Sequence, residues 1–302
     1  MTILRDDAAD AVRGIGFVNA AYFAMTLGDL AAKLALPAFG VATLMVGRGV
    51  IGSVAILGLA MLQGGIGWRQ VMPRRWAMVL LRAFLSCFVS LTWFAAWRTM
   101  SLADTYAIGF TAPLIMTLLA IPLLGEAVRW RRIFSTLVGF GGVLIMLRPD
   151  GDLWQPAVPF LLLGIVCMAL ARIMTRQLAA TETASCQAFW VTLVHIPFGL
   201  ALQGLYPAPP GAPWLLAMLA LAFFATVNSM GHWIFARGYA LAPISALAPY
   251  EYTMLIWGGV FGFLLFGDIP AWSTLAGAAI VAASGLYNLH RERVRRLEPT
   301  LV

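Results

Sequence analysis

Charge is scarce in this chain. Ionised residues make up 11% of its 302 positions, where a soluble domain carries about a quarter. That excludes an ordinary water-facing fold. Cysteine is nearly absent too: Cys87, Cys167 and Cys186 lie in or beside apolar runs with no CxxC spacing. Neither a disulfide framework nor a zinc site is expected, and the three read as small buried apolar residues. His195 and His232 each stand alone, with no second histidine or acid at ligand spacing, so no metal or cofactor is expected. There is no GxxxxGK[ST] loop, so no ATP chemistry and no ATPase subunit is implied. The net charge of +7 comes from short basic clusters between apolar runs, not from a basic domain, and no nucleic-acid partner is expected. One dinucleotide-like match, GRGVIG at Gly47–Gly52, falls inside an apolar run with no βαβ context and is rejected. Its small residues, like Gly139, Gly142, Gly277 and Gly285, instead suit close helix packing.

What the chain has is hydrocarbon. Apolar residues form 61% of it, mean hydropathy is +0.86, and the apolar runs are long enough to cross a bilayer at about 20 residues each. Ten spans are predicted: Gly14–Leu34, Gly40–Leu62, Trp76–Trp97, Leu102–Leu124 and Ile133–Leu147, then Pro156–Arg172, Cys186–Tyr206, Trp214–Phe235, Ile244–Phe266 and Trp272–Leu289. The opening "MTILRDDAADAVR" reads as a charged tail rather than a cleavable signal. Most of the 20 basic residues fall on the side of the N-terminus, and only Lys33, Arg98 and Arg148 on the other. Both termini are therefore expected in the cytoplasm. Trp68, Trp76, Trp130, Trp154, Trp214 and Trp272 mark span ends, as interfacial belts do.

The two halves resemble each other. "WRTMSLADTYAIG" from Trp97 aligns with "ARGYALAPISALA" from Ala236, "LLGE" ending at Glu126 with "LFGD" ending at Asp268, and "STLVGFGGVLIML" from Ser135 with "STLAGAAIVAASG" from Ser273. Five spans is an odd number, so the second copy must be inverted, the hallmark of secondary transporters. The expected organisation is a tail (1–13), a five-helix repeat (14–147), a periplasmic link (148–155), a second repeat (156–289) and a basic tail (290–302).

The GE/GD pair, each followed by a span opening near "TLxG", and the stretch "LAPISALAPYEYTMLIWGGVFGFLLFGDIP" resemble the EamA-type permeases of the drug/metabolite transporter superfamily. Within it the chain is most similar to bacterial amino-acid exporters of the YddG type. The resemblance implies an all-α membrane protein: a basket of ten helices around a central cavity, walled by spans 1, 3, 4, 6, 8 and 9, with 5 and 10 at the periphery. The function it implies is secondary transport, not enzymatic catalysis: alternating-access export of amino acids or related amphipathic compounds across the bacterial inner membrane. An uptake carrier or drug-efflux permease shares the architecture. A lipid-modifying membrane enzyme would need clustered acids, histidines or cysteines, which the sequence lacks. Monomer and homodimer are both open.

Charges inside spans are costly, so each needs a partner or a task. Glu251 and Arg82 lie at similar depth, about 10 Å from the inner surface, and are expected to pair. The alternative is that Glu251 faces the substrate path. Asp29 and Arg48 match in depth near the outer side and are likewise expected to pair, with Lys33 a competing partner one turn from Asp29. Pro113 and Pro249 occupy corresponding places in spans 4 and 9 and are candidate hinges, because each frees a carbonyl four residues back. On the expected cavity walls, Trp93, Trp97 and Trp257 are candidate stacking residues, and Tyr22, Tyr106, Tyr250, Asn228 and His232 candidate polar contacts.

Overall fold

The computed structural model describes residues 8–63, 67–112, 114–116, 118–119, 130–147, 156–204, 214–242, 247, 250–251, 253–269 and 271–297. Among the described residues the chain is helical between short turns, with no strand. Its helices are α1 (Ala8–Leu62), α2 (Gly67–Val71), α3 (Trp76–Trp97), α4 (Leu102–Gly109), α5 (Trp130–Leu147), α6 (Ala157–Leu178), α7 (Ala184–Ala201), α8 (Trp214–Leu241), α9 (Thr253–Phe266) and α10 (Trp272–Leu297). Five of them are long and apolar enough to cross a membrane, the first counted as the 51 residues Val12–Leu62. Hydrophobic residues also face outward. α8 exposes Leu215, Leu216, Leu219 and Phe223 while it buries Ala217, Ala220, Leu221 and Phe224. A helix apolar on both faces belongs in lipid.

Helix α1 is two arms. At Gly40 the backbone takes φ 68°, ψ 176°, a conformation only glycine adopts without penalty. Three residues earlier Pro37 has no N–H to offer. The arms run in opposite directions, as their contacts with α8 show. Along the first arm, Gly14 meets Gly238 and Gly28 meets Asn228; along the second, Gly47 meets Leu221 and Gly52 meets Ser229. The first series descends α8 and the second ascends it. A side chain at Gly47 would place its Cβ 2.8 Å from Leu221 Cδ2, so the GRGVIG glycines sit where helices touch most closely.

Helix α3 packs between α6 and α7. Its first turn has no side-chain cap of its own. The buried carboxylate of Glu182, from the α6–α7 turn, accepts the N–H groups of Arg74 at 3.0 Å and Arg75 at 2.8 Å. It satisfies orphan donors and sets a negative charge at the positive helix end. Helices α5 and α10 pack on one another, with Ser135 Oγ donating to Ser284 O at 3.0 Å.

Two elements are broken where continuous spans are predicted. After α4 the chain turns at Phe110 and Thr111 before helix resumes. Tyr250 and Glu251 form a 3-10 turn ahead of α9 instead of standing inside a helix. Other elements run further than hydropathy suggests: α6 continues to Leu178, six residues beyond the predicted end at Arg172, and α8 to Leu241. The candidate hinges Pro113 and Pro249, Glu126, and the link 148–155 lie outside the described residues.

Candidate transport cavity

One stripe of α3 lines a cavity among the helices. Arg82, Ser86, Ser90, Trp93 and Trp97 recur every three or four residues, so all project from one helix face. The upper end of this stripe is aromatic. The Trp93 ring centroid lies 6.1 Å from Trp97 and 5.7 Å from Tyr106, and Phe94 lies 5.5 Å from Trp97 and 5.7 Å from Phe224. The indole N–H groups of Trp93 and Trp97 are buried without a protein acceptor. Such donors are costly to leave unmade.

Tyr106 is delivered to the cavity by a well-capped turn. Ser101 accepts the Asp104 N–H at 3.0 Å and donates its own hydroxyl to Asp104 Oδ2 at 2.7 Å, while Thr274 of α10 donates to Asp104 Oδ1 at 2.7 Å. The Tyr106 hydroxyl donates to Asp29 Oδ2 at 2.8 Å. Asn228 of α8 donates to Asp29 Oδ1 at 3.2 Å. Both oxygens of Asp29 are thus held by neutral donors. Arg48 donates to Ser90 Oγ at 2.6 Å and acts on Asp29 only from beyond contact, so the expected Asp29–Arg48 ion pair does not form directly. Equal depth put them at one level, but the first arm of α1 faces α4 and α8 at Asp29 and the second faces α3 at Arg48. Lys33 pairs with Asp268, at 3.0 Å, and lies over the Phe266 ring.

The expected Arg82–Glu251 pair is also replaced. Glu251 is in an ion pair with Arg172 of α6. Arg82 donates from Nε to Thr175 Oγ1 at 2.7 Å and from Nη1 to the Gln187 carbonyl at 3.1 Å. The reason is α6's extra length. With the helix running to Leu178, Arg172 lies about 9 Å inside its end rather than at the membrane surface. Arg172 is not among the partners that the sequence suggests for Glu251. A usable signal was there: Arg172, Thr175 and Arg176 share a helical face that would have no purpose in a loop.

Of the residues proposed from sequence, Tyr22, Trp93, Trp97, Tyr106, Asn228, His232 and Glu251 line this one cavity. Tyr250 and Trp257 do not. Tyr250 packs against the Tyr22–Phe235–Tyr239 cluster, and Trp257 stacks with Phe261 and meets Phe23 at 5.1 Å. Span 2 contributes Arg48, which the expected set of wall helices omits, while no described side chain of α5 or α10 is in the lining. No group of three metal-ligating side chains occurs among the described residues.

Residues 12–148 match the EamA-like transporter family. The S-adenosylmethionine uptake transporter of Rickettsia prowazekii (strain Madrid E) is 24% identical over 217 residues, covering 71% of this chain and 72% of its own length. A riboflavin transporter of Rhizobium johnstonii is 27% identical over 277 residues, 89% of this chain and 87% of its own. A riboflavin transporter of Vibrio cholerae serotype O1 is 28% identical over 72% of this chain and 74% of its own. A solved crystal structure shares the fold, with TM-score 0.67 at 15% identity over 96% of this chain and 99% of that one.

Proposed function

Because this chain carries an EamA domain and belongs to the drug/metabolite transporter superfamily, we propose that it is a secondary transporter whose cargo is a polar metabolite built on a heteroaromatic ring. The aromatic wall of Trp93, Trp97 and Tyr106, set beside the polar pair Asp29 and Asn228, carries this reading. Aromatic faces take up planar rings by stacking, and a few placed polar groups fix their orientation. S-adenosylmethionine and riboflavin, which relatives are named for carrying, both contain fused heteroaromatic rings. Those names do not support export of amino acids, and the uptake named for the S-adenosylmethionine relatives favours inward movement of the cargo. The bacterial inner membrane, with both termini in the cytoplasm, is the setting that the basic links favour.

Movement follows the alternating-access scheme. Helix breaks survive in a membrane only where protein or a cavity satisfies the freed backbone, and in transporters they mark the site and its hinges. The turn at Phe110–Thr111 and the one at Tyr250–Glu251 both lie at the cavity. Counterflow in proteoliposomes preloaded with riboflavin or S-adenosylmethionine, with aromatic amino acids as competitors, tests the cargo class. Flux of a heteroaromatic compound supports it. A carrier that exchanges none of these, or that turns over lipid without moving solute, overturns it.

A further inference from the structure

Behind the cavity wall a chain of hydrogen bonds fixes Arg48. His195 of α7 does not line the cavity, yet its ring spans the gap between α7 and α3 and is fully buried. Its Nδ1 lies 2.6 Å from the Val191 carbonyl. A carbonyl only accepts, so Nδ1 bears the proton. A second positive charge beside the Arg48 guanidinium would be repelled, so the ring is neutral and Nε2 is an acceptor. The Ser90 hydroxyl has two acceptors in reach, Nε2 at 2.9 Å and the Ser86 carbonyl at 3.1 Å, and its one proton is shared between them. That leaves the Ser90 lone pairs to receive Arg48 Nη1 at 2.6 Å. The chain Arg48–Ser90–His195–Val191 thus holds the guanidinium from behind the cavity wall.

The guanidinium is held on a second side as well, its carbon 5.6 Å from the Phe224 ring centroid. Its Nε–H remains buried with no acceptor, on a residue only 4% exposed. Among the described residues no carboxylate comes within ion-pair distance of it: Asp29 is held by Tyr106 and Asn228, and Glu251 by Arg172. The acid that acts on it, Asp29, does so from beyond ion-pair distance, so a buried and immobilised guanidinium with an unfilled Nε–H is arranged for an anion that arrives.

Resting on the heteroaromatic reading above, we infer that Arg48 is the receptor for a carboxylate on the cargo, and that Ser90 and His195 are positioning residues that aim it. Arg82 shares the cavity and also lacks an acid, but it stands 11 residues before Trp93 on α3, about 16 Å along the axis. Ser90 is one turn from Trp93, about 4.5 Å along the axis. A compact cargo stacked on Trp93 and Trp97 reaches Arg48 and not Arg82. Among the described residues no other group in the cavity offers a carboxylate both a free charged donor and a ring at that spacing.

Two probes with the same ring separate this subsite from the wall: indole-3-acetate and its uncharged isostere indole-3-acetamide. Binding of each to the purified full chain is measured by titration calorimetry. Wild type is expected to favour the carboxylate about tenfold or more, the value of one charge-assisted hydrogen bond. Arg48→Gln should abolish that preference. Ser90→Ala and His195→Ala should each reduce it severalfold, and His195→Gln, which keeps an acceptor for Ser90, should restore it. A purely structural His195 would weaken both probes equally and leave the ratio unchanged, which overturns the positioning role. Equal binding of both probes by wild type overturns the carboxylate subsite while the aromatic wall stands. Binding of neither overturns the wall and the subsite together.

Discussion

Arg172 and Glu251 form an ion pair in which the two residues are 8% and 2% exposed. The pair ties α6 to the turn ahead of α9, and both residues line the cavity. A charge pair so enclosed is held by mutual need, since neither partner can be solvated if the other is lost.

Removing one partner should therefore be more harmful than removing both. Glu251→Gln leaves the guanidinium uncompensated and is expected to cost about 3–5 kcal/mol, read as a lowered Tm of the detergent-purified protein. The double replacement Arg172→Met with Glu251→Leu should recover most of that loss. In a double-mutant cycle Glu251 should couple strongly to Arg172 and weakly to Arg82. Strong coupling to Arg82 would reinstate the pairing that depth alone suggests.

Asp29 depends on neutral donors. Tyr106→Phe takes away one of its two hydrogen bonds and is expected to cost about 1.5–3 kcal/mol, the range for bonds to charged groups. Thermal unfolding of Tyr106→Phe and Asp29→Asn, singly and together, checks this. If the double variant is no worse than the tyrosine variant, the bond to Asp29 is what Tyr106 contributes.

The two tryptophan environments should separate in transport. Trp93→Leu removes a ring from the cavity wall and is expected to raise the KM of a heteroaromatic cargo roughly tenfold, at about 1–3 kcal/mol per stacked ring. Trp257→Leu, whose ring packs on Phe23 and Phe261, should leave KM near the wild-type value. Counterflow kinetics of both variants decide between them.

Glu182 governs the start of α3. Glu182→Ala frees the Arg74 and Arg75 N–H groups and should cost about 1–2 kcal/mol, as the loss of a helix cap does. Faster amide hydrogen exchange over the first turn after Trp76, with little change at Trp93, is the expected signature. Uniform exchange along α3 would mean that the carboxylate does not act as a cap.

Much of the fold was legible in the sequence, and the places where it was not are instructive. The ends of α3 fall at Trp76 and Trp97, where the apolar run itself stops. Seven of the proposed site residues meet in one cavity, because polar and aromatic groups within apolar runs have few other places to be satisfied. Arg172 escaped because a positive charge reads as a span end, although the helix carries it inward to meet Glu251. Tyr250 and Trp257 were misplaced because spacing along the chain fixes depth but not the direction a side chain faces.

That difference marks the boundary between the two kinds of knowledge. Transfer into hydrocarbon is a sum over consecutive residues, so the sequence alone determined that the chain carries apolar runs of membrane length and roughly where its helices lie. The partner of a buried charge depends on the rotation of each helix and on contacts between residues far apart in the chain, such as Asp29 with Asn228 and Arg48 with Ser90. Those relations exist only once the helices have packed, and the tertiary structure decided them.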